Sequence, residues 1–152
     1  MKFGPLPTAN SLNSILAHSI RISGLYIPKG KIISSDDIQK LESIGINEIT
    51  VATLESNDVH EDKAANDVAN ASIGTNIISN PAHTGRTNLL STTDGILSFK
   101  ESEINKINEQ HESVTLATLA NHSIIKSGQM IATIKIITFS APNDELQRII
   151  KI

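Results

Sequence analysis

Residues 28–54 read PKGKIISSDDIQKLESIGINEITVATL, and this stretch decides the fold class. Its proline and glycine predict a turn, which leads into a short Ile-rich strand. Ser34 or Ser35 would cap the following helix, because a hydroxyl accepts hydrogen bonds from free backbone N–H groups at a helix start. Gly45 would end that helix in the left-handed conformation. The segment Glu48–Leu54 then predicts a second strand, so strand and helix alternate within one short stretch.

The rest of the chain repeats this mixture of short elements. Further helices are expected to begin at Thr8, to span Asp58–Ala71 and Glu101–Glu109, and to begin at Asn143. A strand, or a hairpin broken at Ser23-Gly24, is expected at His18–Ile27, and further strands are expected at Gly85–Ser91, Ile96–Phe99, Val114–Leu119 and Gln129–Phe139. Residues 92–95 would join Gly85–Ser91 and Ile96–Phe99 as a hairpin. The sequence therefore predicts an α+β fold, with a mostly antiparallel sheet or a small β-barrel and three to five short helices.

Composition limits the function classes. The 152 residues are expected to form a single domain, 1–152, or two small subdomains, 1–75 and 76–152. The net charge of −3 gives no basic stripe of the kind that binds nucleic acid. The lack of cysteine excludes disulfides and thiolate chemistry and favours a cytoplasmic location. No apolar run resembles a signal peptide or a membrane span, so neither nucleic acid nor membrane is expected as a partner.

The densest group of ionisable side chains surrounds His60, which stands between Asp58 and Glu61. A histidine flanked by carboxylates can hold a metal ion or act as a general base. The same residues also suit the start of an exposed helix, where acidic side chains favour the helix dipole. No second histidine stands at the spacing of a metal-binding pair. We therefore expect no metal site here, and we keep His60 and Glu61 as candidate ligand-binding residues.

A better binding candidate is the run His83-Thr84-Gly85-Arg86-Thr87-Asn88. Arg86 can hold a phosphate with two parallel hydrogen bonds, and Gly85 allows a ligand to approach the backbone. His83, Thr84 and Asn88 would add hydrogen bonds. The alternative is a polar loop that leads into a strand. The run lacks the spacing of a phosphate-binding glycine-rich loop, and no serine lies in a nucleophile motif, so no catalytic residue is expected.

Lys135 lies within a run of isoleucines, Ile134 before it and Ile136 after it. On a half-buried strand, side chains alternate between the two faces. Lys135 is therefore expected to face solvent, where it could also meet an anionic ligand.

Two blocks carry a resemblance to a known family. The first comprises Leu16–Ser19, Pro28–Gly30, Ile44–Ile46 and Asp58–Ala65, and the second comprises Gly85–Leu89, Thr115–Leu119 and Gly128–Ile137. In this order they resemble the N-terminal part of molybdopterin-binding proteins, which belong to molybdenum-cofactor biosynthesis and are of the molybdopterin molybdotransferase type. In such proteins a later α/β domain contains the pterin pocket. The resemblance implies an N-terminal accessory domain of a longer protein.

The resemblance also implies a role. Such a domain would bind, present or oligomerise rather than catalyse, and its partner would be another copy of itself or a C-terminal pterin-binding domain. No cofactor is expected in this domain, whereas the full-length protein would bind molybdopterin. Two alternatives remain open. One is a small ligand-binding module or enzyme with a pocket near His60, His83 and Arg86, and the other is a purely structural dimerisation domain.

Overall fold

The computed structural model describes residues 1–22 and 24–152, and the chain divides into two compact units, Met1–Ser56 and Asn57–Ile152. This division lies upstream of the boundary at residues 75 and 76 that the two-subdomain alternative named. Helices and antiparallel strands occur in both units, and within the described residues no sheet closes into a barrel. The predicted α+β class with antiparallel sheets is confirmed.

The described residues of the first unit form five strands and one α-helix: β1 (Lys2–Pro7), β2 (Ile15–Leu16), β3 (Ile20–Ile22), β4 (Leu25–Ile27), α1 (Ser35–Ser43) and β5 (Glu48–Thr53). β5 lies between β1 and β2 in an antiparallel sheet, and β3 pairs with β4. The aliphatic core consists of Leu16, Ile27, Ile33, Leu41, Ile49 and Val51. The predicted strand Glu48–Leu54 and the predicted pairing within His18–Ile27 are confirmed. The expected break at Ser23-Gly24 includes Ser23, which lies outside the described residues.

Both ends of α1 are set by the residues that the sequence indicated. Ser34 is the cap: its hydroxyl oxygen accepts a hydrogen bond from the Asp37 N–H, and the Asp37 carboxylate accepts one from the Ser34 N–H. This reciprocal pair satisfies two backbone donors that a helix start leaves free. At the other end Gly45 has φ +80°, and the Ile46 N–H donates to the Leu41 carbonyl. Gly45 therefore ends the helix in a Schellman motif, as predicted.

The helix predicted from Thr8 is wrong. Thr8–Asn10 form a single 3-10 turn, and Asn13 has a positive φ of 63°, which a continuing helix would not allow. The following residues form β2, which is completely buried against β5. The pairing of these residues with the edge of β5 thus outweighs the local helical pattern.

The second unit contains three α-helices and eight strands: β6 (Asp58–His60), α2 (Glu61–Ser72), β7 (Ile77–Ser79), β8 (Arg86–Ser91), β9 (Gly95–Ile96), α3 (Glu101–Gln110), β10 (Val114–Thr118), β11 (Ile124–Ile125), β12 (Met130–Ile136), β13 (Ser140–Pro142) and α4 (Asn143–Ile149). Its main sheet has the order β10-β12-β8-β7, and all neighbours are antiparallel. β9 pairs with β11, and β6 pairs with β13.

The main sheet buries one face. α2 packs against β8 and β12, and the side chains of these strands alternate between buried and more exposed positions. The alternating buried positions of β8, β10 and β12 are Thr87, Leu89, Ser91, Val114, Leu116, Ile134 and Ile136. Ile131 and Ala132 of β12 are also buried, where its register against β8 shifts. We call the side that the alternating buried positions occupy the inner face and the other side the outer face. This period of two fixes which side chains reach the outer face.

The edge strand β10 is protected by a side chain of α3. The Asn108 side-chain oxygen accepts from the Leu116 N–H at 2.8 Å, and the Asn108 side-chain nitrogen donates to the Leu116 carbonyl at 2.9 Å. The amide thus replaces a neighbouring strand at that position and blocks edge-to-edge pairing with another chain.

Two local predictions for this unit need correction. Gly85–Ser91 and Ile96–Phe99 do not form a hairpin, because β8 pairs with β7 and β12 while β9 pairs with the distant β11. The helix expected from Asp58 begins only at Glu61, since residues 58–60 form a strand against β13. The predicted helix Glu101–Glu109 and the predicted strands that became β10 and β12 are confirmed.

The Asp37 carboxyl makes the stability of the start of α1 depend on pH. Burial raises its pKa, but the hydrogen bonds and charge of Lys31 and the hydrogen bonds of Ser34 lower it by more, so the pKa falls from 3.8 to about 2. The folded state therefore favours the carboxylate more than the unfolded chain does. The resulting stabilisation is complete above the unfolded pKa and is lost as pH falls through the folded pKa.

We expect the Asp37→Asn variant to lose about 2 kcal/mol of unfolding free energy at pH 7, in proportion to this pKa difference. The difference from wild type should shrink between pH 4 and pH 2, because wild-type Asp37 then becomes protonated. Denaturant unfolding across this range measures it. Asp36→Asn is the matched control, since Asp36 is an exposed acid in the same turn. Equal pH profiles for wild type and Asp37→Asn would contradict the account.

Candidate anion-binding site

The outer face of the main sheet carries three nitrogen-bearing side chains in one line. His83 forms a bridge with Arg86, and Arg86 is directly opposite Lys135 on β12. Thr115 on β10 is opposite Lys135 and completes the line with a hydroxyl. Residues directly opposite each other in antiparallel strands point to the same face. We call His83, Arg86 and Lys135 the basic row; all three are exposed, as is Thr115.

The two cations of the row, Arg86 and Lys135, are on directly opposite residues of neighbouring strands. The Gly85 carbonyl accepts from the Ile136 N–H at 2.7 Å, so the next pair, Arg86 and Lys135, is a non-hydrogen-bonded pair. In such pairs the α-carbons are only about 4.5 Å apart, and the side chains are closest. Like charges in this arrangement repel. Neither cation has an acidic partner in the part of the chain that the structure describes.

A tight turn holds His83 and Arg86 in place. The His83 N–H donates to the Arg86 carbonyl at 2.9 Å, and the Arg86 N–H donates back at 3.2 Å. Thr84 and Gly85, with φ of 49° and 70°, are the two central residues of a type I′ turn. Threonine is β-branched and resists positive φ, so the turn stores strain that surrounding contacts must balance.

Those contacts come from the start of α2. The Gly85 N–H donates to the Asp62 carboxylate at 2.7 Å, and the Asp62 N–H donates to Nδ1 of His60 at 3.2 Å. A β-carbon on Gly85 would lie 2.8 Å from Oε2 of Glu61, so the helix and the turn are in direct contact. His60 caps α2 through its Nδ1 atom, which accepts this hydrogen bond.

The structure therefore sorts the predicted site residues into two groups. His83, Arg86 and Asn88 lie on the outer face, whereas His60 and Glu61 lie at the start of α2 and support the turn. Thr84 is exposed at the tip of the turn, where its hydroxyl donates to the His83 carbonyl at 2.8 Å. No group of three or more His, Asp or Glu side chains suited to a metal ion occurs within residues 1–22 and 24–152.

Asn88 belongs to a second row on the outer face, next to the basic row. It is opposite Thr133, whose hydroxyl donates to the Asn88 side-chain oxygen at 2.8 Å. Asn80, just after β7, donates its N–H to the Asn88 carbonyl, and Ala117 is opposite Thr133 on the other side. We call Asn80, Asn88 and Thr133 the amide row, because it offers neutral hydrogen-bonding groups beside the cations.

Lys135 and Thr115 are the site residues that the sequence did not assign to the candidate site. Alternation within the isoleucine run correctly predicts that Lys135 faces solvent. Its position opposite Arg86 depends on the register of β12 against β8, and these strands are separated by β9, α3, β10 and β11 in the chain. No short-range sequence pattern predicts the register of β12 against β8.

Residues 5–53 match a family described as a domain of unknown function (DUF8806). This is less than half of the chain, and it lies within the first unit. None of the curated proteins compared with the chain matches it. None of the solved structures matches it either. The basic row lies outside the matched segment.

We expect Gly85→Ala to destabilise the fold more than Gly128→Ala does. Both glycines have positive φ, but a β-carbon at Gly85 would approach Glu61 and the Ile136 carbonyl within 3 Å, whereas one at Gly128 would meet nothing within 4 Å. Left-handed strain is common to both, so their difference isolates the contact with α2 and β12. That difference should be about 1–3 kcal/mol, the usual cost of overpacking. Denaturant unfolding measures it, and equal losses would show that the turn does not rest on α2.

Proposed function

We propose that the chain is an anion-binding accessory domain of a molybdopterin-binding protein and acts in the cytoplasm. The observation that carries this proposal is the pair of like charges, Arg86 and Lys135, opposite each other on an exposed sheet face without an acidic partner among the described residues. A pair of this kind is unfavourable in the unliganded domain and becomes favourable when an anion lies between the two cations.

The chemistry of the row suits a phosphate group. The Arg86 guanidinium offers two parallel N–H donors that match two phosphate oxygens, and the Lys135 ammonium adds a compact positive charge. The Thr115 hydroxyl and the His83 ring extend the row on either side. Phosphate is favoured over a carboxylate because its three oxygens can contact both cations and a hydroxyl at once.

The resemblance to molybdopterin-binding proteins supports the family part of the proposal. The second block of that resemblance, Gly85–Leu89, Thr115–Leu119 and Gly128–Ile137, coincides with β8, β10 and β12. These strands are neighbours in the main sheet and carry the basic row. In this proposal the domain contributes binding rather than catalysis, and its partner in a longer protein is a pterin-binding domain that holds molybdopterin.

None of the helices in the described residues is both long and apolar enough to cross a membrane. The proposed cytoplasmic location is supported by the cysteine-free composition.

Self-association is the second candidate function. Ile96 on β9 and Ile124 on β11 are directly opposite each other and are 66% and 79% exposed. These two large aliphatic side chains project together from a two-stranded ribbon, and they could form the centre of a larger apolar surface that another protein covers. A concentration-dependent dimer in sedimentation equilibrium would favour this function.

We expect Arg86→Lys to weaken binding of a pterin phosphate ester by at least tenfold. The lysine keeps the charge but loses the two parallel donors, and a hydrogen bond to a charged group is worth about 1.5–3 kcal/mol. Calorimetric titration of the chain measures the affinity, and the same pterin without its phosphate is the matched ligand. Its affinity should not change.

Arg148→Lys is the control variant, because Arg148 is an exposed arginine on α4 that already pairs with Glu145. Wild-type affinity is expected for it. Equal ester affinities for wild type and Arg86→Lys would remove the reason to place an anion on the basic row, and with it the proposed function.

A further inference from the structure

The sheet of the first unit has one border that is poorly suited to pairing with another strand. The Thr8 N–H donates to the Asn47 carbonyl at 2.9 Å, which fixes the hydrogen-bonding phase of β1 against β5. This phase alternates along an antiparallel ladder, so Pro5 and Pro7 direct their backbone groups away from β5. Proline has no N–H to donate, and its presence at these two positions protects the outer edge of β1.

The opposite edge of β5 is open over its first half. By the same alternation, Glu48 and Thr50 direct their backbone groups toward the side of β2. The Thr50 carbonyl accepts from the Ala17 N–H at 3.0 Å, but beyond Ala17 the chain leaves β5 and forms β3, which pairs with β4. The Glu48 N–H, the Glu48 carbonyl and the Thr50 N–H therefore have no backbone partner among the residues that the structure describes.

A cleft of about 510 Å³ follows this open edge. Residues 48–50 form one wall, and residues 18–22 contribute to the other. Ile49 belongs to the aliphatic core of the first unit, and Ile20 and Ile46 pack against that core, so the cleft also has an apolar surface. Backbone groups that can accept a new strand, beside a pocket for side chains, are the two features on which β-strand addition depends.

The charge on the open edge argues against a second copy of the chain as its occupant. The Thr50 carbonyl is already bonded to Ala17, so Glu48 offers the edge its full pair of backbone groups. A two-fold axis at this position would place Glu48 directly opposite Glu48 of the other copy. Like charges directly opposite each other are destabilising, whereas a basic side chain opposite Glu48 is favourable. Glu48 is exposed and has no ion-pair partner in the described part of the chain.

We propose that the open edge of β5 binds an extended peptide segment of another protein by antiparallel β-strand addition. One peptide residue lies opposite Glu48, exchanges two backbone hydrogen bonds with it and carries a Lys or Arg side chain. The next residue points to the other face of the sheet, where an aliphatic side chain contacts Ile20, Ile46 and Ile49. This site shares no residue with the basic row and lies within the segment that matches the family of unknown function.

Three short synthetic peptides test the backbone and the charge separately. The first reads Ser-Val-Lys-Val-Ser with blocked ends, the second carries a methyl group on the lysine backbone nitrogen, and the third has glutamate in place of lysine. Amide NMR titration of the chain gives each affinity. We expect saturable shifts and slowed hydrogen exchange at Glu48 and Thr50 with the first peptide. The methylated peptide cannot donate to the Glu48 carbonyl, and the glutamate peptide places like charges together, so both should bind at least threefold more weakly.

A charge reversal on the protein completes the test. Glu48→Lys should bind the glutamate peptide at least twofold more tightly than the lysine peptide. Glu42→Lys is the matched control, since Glu42 is an exposed acid on α1 outside the cleft, and it should keep the wild-type order of affinities.

Three results would overturn the inference. Equal affinities for the methylated and unmethylated lysine peptides would show that binding does not use the backbone edge. A lack of saturable shifts at Glu48 with millimolar lysine peptide would show that the edge accepts no strand. Protection of the Glu48 amide that rises with protein concentration, without peptide, would assign the edge to a second copy of the chain.

Discussion

The hydrogen bond from the Gly85 N–H to the Asp62 carboxylate is the contact on which the candidate site depends. It joins a strained turn to the start of α2. The packing there is so close that a side chain at Gly85 would have no room. A fixed turn sets the entry of β8, and β8 in turn sets which residues are opposite β12. Without this contact Thr84 would have little to hold it at positive φ, and Arg86 would lose its defined position beside Lys135.

The geometry explains why two acidic residues can lie so near a basic row without neutralising it. The Asp62 carboxylate accepts a hydrogen bond from the Gly85 backbone N–H, and the Glu61 side chain is buried against the turn. Both belong to α2, which packs against the inner face, while Arg86 and Lys135 project from the outer face. The sheet separates the acids from the cations, so the cations remain available to an external anion. The acidic residues therefore support the turn, while the cations on the outer face are available to a ligand.

The sequence predicted those features that depend on short-range chemistry. The cap and the stop of α1 follow from side-chain and backbone groups within a few residues: the sequence offered Ser34 or Ser35 as the cap, of which Ser34 is the one found, and it identified the Gly45 stop. The basic character of the run around Arg86 was likewise visible. The rest depends on long-range pairing: β9 prefers the distant β11, β2 is buried on β5 instead of forming a helix, and Lys135 meets Arg86 only through the β8–β12 register. Local propensity carries no information about such pairings.

The central claim is that an anion occupies the space between Arg86 and Lys135. Side-chain and amide NMR of the chain during titration with inorganic phosphate tests it most directly, with chloride at matched ionic strength as the reference. The account predicts saturable shifts of the Arg86 guanidinium, the Lys135 ammonium and the Thr115 amide, all with one dissociation constant. Shifts spread evenly over the exposed lysines and arginines of both units, without saturation at these three residues, would contradict it.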